Sequence, residues 1–380
     1  MQVLTIDIGT GTQDIYLFRS GLNLENGFKL VMPSPTMQIR GQILDATHRG
    51  DDLLLTGVTM GGGPCHWAAE AHVKAGHMIY ATPEAARTFN DDLDWVNQEM
   101  GIEILSEDEA ANLMNVRRIE LRDFDFKTIV EAFNLFGVRL DPQVVAVGVF
   151  DHGAAPPDVS DRQFRFDYLE ARIQAENRLT AFAFLSEDIP PILTRMQAVA
   201  KSGSVLNCPL VVMDNAAASV LGASLDTRVS AQSRVMIVNV GNFHTLAFRL
   251  GPTGIEGIFE HHTGLIDQPR LETMLRALAD GSLTCGEIFD GHGHGALIRH
   301  PEKLNLDHGD FGVVVTGPRR SMMLCSELRP YFAVPYGDMM LTGCFGLLVS
   351  VADLVDELAE PIRSALTSAG GDIAPWDILD

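Results

Sequence analysis

The sequence reads as a duplicated α/β protein of two lobes. A repeated opening is the first observation behind that reading. Val3 to Ile8 is a short apolar run rich in β-branched residues, ends in Gly9-Thr10-Gly11-Thr12 and resumes at Ile15 to Phe18. The pattern returns at Arg234 to Val240, Gly241-Asn242 and Thr245 to Leu250. Both stretches read as strand, tight turn, strand. The second observation is that each opening is followed by alternating strand-like and helix-like segments, the mark of α/β layering. Third, Asp7 and Asn239 lie 232 residues apart, a domain-sized period rather than a solenoid repeat. A chain of 380 residues with 46% hydrophobic and 21% charged residues has the material for two cores. The lobes are expected at 1–205 and 206–380.

In the first half, Phe28 to Met32 continues the opening hairpin as a third strand, and Pro33 and Pro35 read as a loop. Leu53 to Val58 is a strand that runs into Gly61-Gly62-Gly63-Pro64, a turn able to line a cleft or merely to reverse the chain. Cys65 to Ala75 has helical spacing and Met78–Tyr80 is a strand. Thr82 with Pro83 behind it caps a helix. Asp91 to Met100 is helical with acids in its first turn, and Ile102–Leu105 is a short strand. Glu107, Asp108 and Glu109 read as a solvated helix start. Thr128 to Phe136 is an amphipathic helix. Val144 to Phe150 is unbroken apolar sequence, as a buried parallel strand requires. Residues 154–161 form a loop, and helices are expected near 163–178 and 190–201. Leu210–Met213 is a strand and Asn215 to Ala223 a helix of small residues. In the second half, Ile255 to Glu260 is a third strand, 267–279 a helix, and Phe311 to Thr316 a strand ending at Gly317-Pro318. Asp338 to Leu358 is a long helical pattern interrupted by glycines.

Charge narrows the function. There are 28 Lys+Arg against 50 Asp+Glu, a net −22, which disfavours nonspecific nucleic-acid binding and anionic membrane surfaces. The five lysines, Lys29, Lys74, Lys127, Lys201 and Lys303, lie outside any GxxxxGK[ST] string, so there is no P-loop. The five cysteines, Cys65, Cys208, Cys285, Cys325 and Cys344, have neither zinc-ribbon nor iron–sulfur spacing. Scattered thiols, a first segment without a basic stretch and the lack of a long apolar run read as a cytoplasmic protein.

The chemistry concentrates in a few strings. In Asp7-Ile8-Gly9-Thr10-Gly11-Thr12, a strand delivers an acid to a turn of glycine and hydroxyl residues. Backbone amides and threonine hydroxyls there suit phosphate oxygens, and Asp7 suits Mg²⁺ held through water. The other reading is an ordinary hairpin. Phe150-Asp151-His152-Gly153 follows a buried strand at its carboxyl end, where ligands sit in open sheets. Asp151 is a candidate base toward an acceptor, and His152 a candidate proton carrier. The alternative is that the pair caps the next helix or binds its own backbone. His261 and His262 are adjacent on a strand and face opposite sides. His292 and His294, two apart in a glycine-rich loop, can share a side and with Asp290 could bind a divalent metal.

The first string resembles the first phosphate motif of the actin-like ATPase superfamily, which includes sugar and acetate kinases, heat-shock chaperones and exopolyphosphatases. Further motifs appear in family order. Asp214 to Ala223 resembles the connecting helix whose small residues let two hinge helices pack closely. Val238 to Thr245 stands at the second phosphate motif, Val313 to Pro318 resembles the adenosine strand and its glycine turn, and Leu341 to Gly346 the final connecting helix. Val145 to Gly153 is similar to a sugar-kinase strand that lines a substrate pocket. Ala81 to Asn90 and Gly101 to Ala110 resemble part of the exopolyphosphatase first domain. One departure stands out: Asn239 takes the place of an acid, and Asn242 and Phe243 replace glycines. Asparagine adds no charge to a Mg²⁺ site and is no general base.

The resemblance implies a ribonuclease-H-like, two-lobed ATPase or phosphotransferase that uses ATP and Mg²⁺ on a small-molecule substrate. Gly9, Thr10, Gly11, Thr12, Asn239, Gly241 and Asn242 would hold phosphates, Asp7 the metal, and Gly317 would sit near adenosine. Asp7, Asp151 and His152 are the catalytic candidates. A homodimer is compatible with this reading. A phosphohydrolase and a noncatalytic nucleotide-gated binder are the alternatives. The sequence also resembles a family labelled pyruvate formate-lyase activating enzyme, but it lacks the cysteine triad that such radical chemistry uses.

Overall fold

The structure is a computed structural model that describes residues 1–157, 159–367 and 376. Asp158, in the expected 154–161 loop, and residues 368–375 and 377–380, at the end of the expected second lobe, lie outside the described residues.

The strands in chain order are β1 (Gln2–Ile8), β2 (Thr12–Arg19), β3 (Phe28–Pro33), β4 (Leu53–Gly57), β5 (Ile79–Ala81), β6 (Ile102–Ile104), β7 (Arg117–Leu121), β8 (Val144–Val149), β9 (Ala183–Leu185), β10 (Leu210–Asp214), β11 (Val235–Val240), β12 (His244–Gly251), β13 (Gly254–His262), β14 (Gly295–Ile298), β15 (Val313–Thr316) and β16 (Pro330–Phe332). They form three sheets, ordered β3-β2-β1-β8-β10-β9, β14-β13-β12-β11-β15-β16 and β6-β5-β4-β7.

The first two sheets share a plan. Each opens with an antiparallel three-strand meander, and the first strand of the meander then pairs in parallel with a later strand, β1 with β8 and β11 with β15. This is a duplicated ribonuclease-H-like architecture, as expected. Strand β8 is buried at every position, as its unbroken Val/Ala/Gly sequence requires.

The third sheet is all parallel and has its own apolar core, including Ile43, Leu53, Ile79, Ala85 and Ile119. It is inserted between β3 and β8 and was not foreseen as a separate unit. The expected loop at Pro33–Pro35 is instead the entry to a helix, Pro35–Arg49, capped by Ser34, whose Oγ accepts from the Met37 amide. Proline is favoured at this first helical position because its missing N–H would be unpaired there anyway. The acidic start at Glu107 is a capping box with Ser106 and Glu109, as expected for a solvated helix.

Two helices join the halves. Asn215–Ala223 follows β10, and Thr342–Leu354 returns from the second sheet to pack on it and on β1. A Cβ on Gly222 would stand 1.7 Å from the Thr342 carbonyl oxygen, and one on Gly346 would stand 2.0 Å from that of Ala218. Side chains there would force the helices apart, so glycine is what permits the crossing. The long 338–358 pattern breaks at Val355, after which a second helix, Asp356–Thr367, begins.

Candidate functional site

The two opening hairpins meet across one cleft of about 480 Å³. The β1–β2 turn closes with the Gly9 amide donating to the Thr12 carbonyl at 2.9 Å, and the β11–β12 turn with the Gly241 amide donating to the His244 carbonyl at 3.0 Å. These two amides are therefore used within their own turns. A Cβ on Gly11 would lie 2.6 Å from Asn242 Nδ2, which puts the tips of the two turns in contact. Ser34 steadies the first turn, donating from Oγ to the Thr10 carbonyl and from its amide to that of Gly11. Gly317, at φ +96°, packs under the second turn: a Cβ there would meet Asn239 Oδ1 at 2.3 Å. Only glycine combines that backbone with that approach. Gly61, Gly62 and Gly63 also line the cleft, and Phe243 stacks on Trp67 with ring centres 5.7 Å apart.

Behind the first turn, Asp7 and Asp14 face each other across the β1–β2 register. Burial pushes Asp7 up to about 7, against a hydrogen bond from Asn215 and with Asp214 adding repulsion. Burial and then the charge of Asp7 push Asp14 up to about 8, with Thr12 opposing. Asp7 Oδ1, Asp14 Oδ1 and Asn239 Oδ1 are all buried without a hydrogen-bond partner. Buried acceptors are rarely left unpartnered in folded proteins. The pair takes a proton or a cation to be stable. A Cβ on Gly343 would lie 1.9 Å from Asp7 Oδ2, so Asp7 rests against the returning hinge helix.

Asp151 is held by backbone amides. Its Oδ1 accepts from the Gly153 amide and its Oδ2 from the Met196 amide, both at 2.8 Å. It binds its own loop and caps the first turn of the helix Thr194–Ser202, the alternative left open above. Each oxygen thus accepts from one backbone donor, which fixes the position of the carboxylate. Asp151 and His152 both line the cleft.

The histidines gather in a way that sequence reasoning missed. His292 is exposed at φ 67° and Asp290 is exposed, whereas His294 is buried. The i, i+2 chelate of His292 and His294 therefore does not form. His294 instead joins His152 and His244, and one ring nitrogen from each of the three lies within 4.8 Å of the others. His262 stands beside them, its ring centre 4.8 Å from that of His294, while His261 is buried on the other side of β13. Burial first, then neighbouring His294, holds His152 well below its ordinary range, and burial does the same to His244. Burial and His294 bring His262 down to about 4.

An ionic and aromatic frame holds this cluster. Arg165, itself buried, donates to Asp214 and to Glu260 in a two-carboxylate bridge that spans both six-stranded sheets. Its guanidinium lies 3.7 Å from the centre of the Phe150 ring, and Phe150 stacks on His244 at 4.2 Å and 4°. The Glu260 carboxylate contacts His294 Nδ1. Burial acts to raise Glu260, but Arg165 and His294 outweigh it and hold the carboxylate well below its usual range. Arg195 pairs with buried Asp123 in the same wall. The available signals were His244 two residues beyond the Asn242 turn and the position of Glu260 at the end of a strand.

Over residues 60–322 the chain matches the family described as "Putative pyruvate format-lyase activating enzyme (DUF1786)", and it belongs to that family. Among the described residues the five cysteines do not gather into a three-thiolate set. No curated protein matches the chain. Among solved structures, the chain is similar to a ROK hexokinase from Thermus thermophilus, with 12% identity, a TM-score of 0.23 and coverage of 67% of this chain and 47% of that one. It is similar to an exopolyphosphatase-like protein, with 13% identity, a TM-score of 0.17 and coverage of 76% and 57%. It is also similar to the PPX-GPPA enzyme of Aquifex aeolicus, with 10% identity, a TM-score of 0.20 and coverage of 74% and 63%. The matched part of this chain thus spans less than two thirds of each of these structures. The fold is defined by the sheet order above and not by likenesses of this size. Among the described residues no helix is long and apolar enough to cross a membrane.

Proposed function

We propose that the cleft binds a magnesium nucleoside triphosphate, ATP by the family resemblance, and passes its terminal phosphoryl group to a small-molecule acceptor or to water. The observation that carries this reading is the meeting of the Gly11 and Asn242 turns in front of Asp7, whose Oδ1 is buried without a partner. With the Gly9 and Gly241 amides used in their turns, the Thr10 hydroxyl, the Asn242 side chain and the other amides of the two turns would face phosphate oxygens. Thr12 steadies Asp14.

The residues fit a magnesium ion, since Asp7 and Asp14 offer two buried oxygens that lack partners. A bound ion would supply the positive charge that a P-loop lysine supplies elsewhere. Asp7 would orient a water on it. The lobes would close about the two glycine-packed helices and exclude water from the transferred group; because β10 (Leu210–Asp214) pairs with β8 in the first sheet, the first lobe extends beyond the expected boundary at 205. Asn239 adds neither charge nor a base, which favours tight binding with slow turnover. The same departure, together with the capping role of Asp151, supports a nucleotide-gated binder as the second reading.

Calorimetric titration with ATP, with and without Mg²⁺, tests the proposal. Wild type should bind more tightly with Mg²⁺, and Asp7→Asn should lose that gain, about tenfold or more in Kd, equivalent to about 1.4 kcal/mol. A wild-type chain that binds no nucleotide under either condition removes the proposal. Phosphate release without an acceptor separates the hydrolase from the kinase, and binding without turnover identifies the gated binder.

A further inference from the structure

We propose that His152, His244 and His294 form a divalent transition-metal centre whose remaining coordination position opens into the cleft. The three rings come from three separate places, the loop after β8, the start of β12 and the residue before β14, yet one nitrogen from each lies within 4.8 Å of the others. Tetrahedral zinc with Zn–N bonds of about 2.0–2.1 Å puts its nitrogens about 3.3 Å apart, so side-chain adjustments of about 1.5 Å or less complete the site.

The unpartnered atoms point to the same ligand. Nε2 of His244 and Nε2 of His294 are buried without a hydrogen-bond partner. The other nitrogen of His294 already contacts Glu260, which is the carboxylate–histidine arrangement that orients metal ligands. Glu260 is fixed in turn by Arg165, and Phe150 fixes the plane of His244. Three imidazoles without a thiolate suit zinc, cobalt, nickel or ferrous iron rather than magnesium or calcium. His152 and His244 line the cleft, so a fourth ligand would come from there. Three neutral ligands leave the ion's charge uncompensated, which favours an anionic oxygen such as hydroxide, a carboxylate or a phosphate. His152 follows a strand of the first sheet and His244 begins a strand of the second, so a bound ion would also tie the two halves together.

This inference does not depend on nucleotide binding. The test is equilibrium dialysis of the chelator-treated full chain against Co²⁺ and then Zn²⁺, without nucleotide. The expected result is one ion per chain, with the visible absorption of tetrahedral Co²⁺ and a raised melting temperature. His152→Gln, His244→Gln and His294→Gln should each weaken binding at least about tenfold, the scale of perturbed metal sites. Changing the exposed His48 and His308 to Gln should leave binding unchanged, and so should Asp7→Asn. The proposal is overturned if wild type takes up no ion, or if a natively folded triple His→Gln variant, checked by circular dichroism, binds as wild type does. It is also overturned if Asp7→Asn abolishes uptake, because the ion would then sit on the aspartates.

Discussion

The Asp7–Asp14 pair makes the stability of the ligand-free protein depend on pH in an unusual direction. Asp7 moves from an ordinary 3.8 to about 7 in the folded chain. A carboxyl raised in this way holds its proton more tightly when folded than when unfolded. Its stabilising contribution is therefore complete below about pH 4 and is lost as pH climbs to about 7. Between pH 5 and pH 7 the unfolded chain has released this proton and the folded chain has not. At 1.36 kcal/mol for each pH unit, that interval costs wild type about 3 kcal/mol relative to Asp7→Asn, which has no proton to lose. Asp14 moves in the same direction, up to about 8, and part of its rise comes from Asp7, so the substitution relieves it as well. The assay is urea denaturation of both proteins at pH 5 and pH 8 in chelator. Asp7→Asn should gain about 3 kcal/mol on wild type across that range. Adding Mg-ATP at about a hundred times the wild-type Kd should return about 2.7 kcal/mol to wild type but only about 1.4 kcal/mol to Asp7→Asn, whose Kd is about tenfold weaker. A difference between the two proteins that does not change with pH would refute the reasoning, because Asp7 would then be ionised and compensated without a ligand.

Two further substitutions probe the frame. Gly346→Ala puts a methyl group 2.0 Å from the Ala218 carbonyl oxygen, and overpacking of this kind should cost about 3 kcal/mol in denaturant unfolding. A cost below about 1 kcal/mol would mean that the hinge helices separate freely. Asp151→Asn leaves either the Gly153 or the Met196 amide facing an NH₂ group, and should lose about 2 kcal/mol of stability. Any phosphoryl-transfer rate per folded molecule should be retained, whereas full stability with abolished turnover would return the base role to Asp151.

Much of the frame was legible because it is written in local pattern. The β-branched runs at Val3–Ile8 and Val235–Val240, and the turns after them, announce hairpins wherever they occur. The small residues of Asn215–Ala223 and Leu341–Gly346 announce a close helix crossing, and Gly222 and Gly346 provide it. The inserted sheet was harder to see. Its helix begins at Ser34-Pro35, a cap and first-turn proline that also reads as a loop beside Pro33. Its outer strand, Arg117-Arg118-Ile119-Glu120-Leu121, carries charge on its exposed face and looks too polar for a strand. Strand β14 was hidden by the glycines around His292 and His294. The site was less legible than the frame because its groups meet only in three dimensions. Asp151 caps a helix 45 residues onward, and Arg165 reaches Glu260 95 residues away. The histidine cluster draws on three separate segments that no spacing rule connects.

Hydrogen–deuterium exchange on the intact chain, with and without a nonhydrolysable ATP analogue and Mg²⁺, tests the central claim most directly. The account requires peptides covering residues 9–12 and 241–244 to gain protection together and at the same ligand concentration. Protection of one turn alone, or of neither while the analogue binds elsewhere, would contradict it.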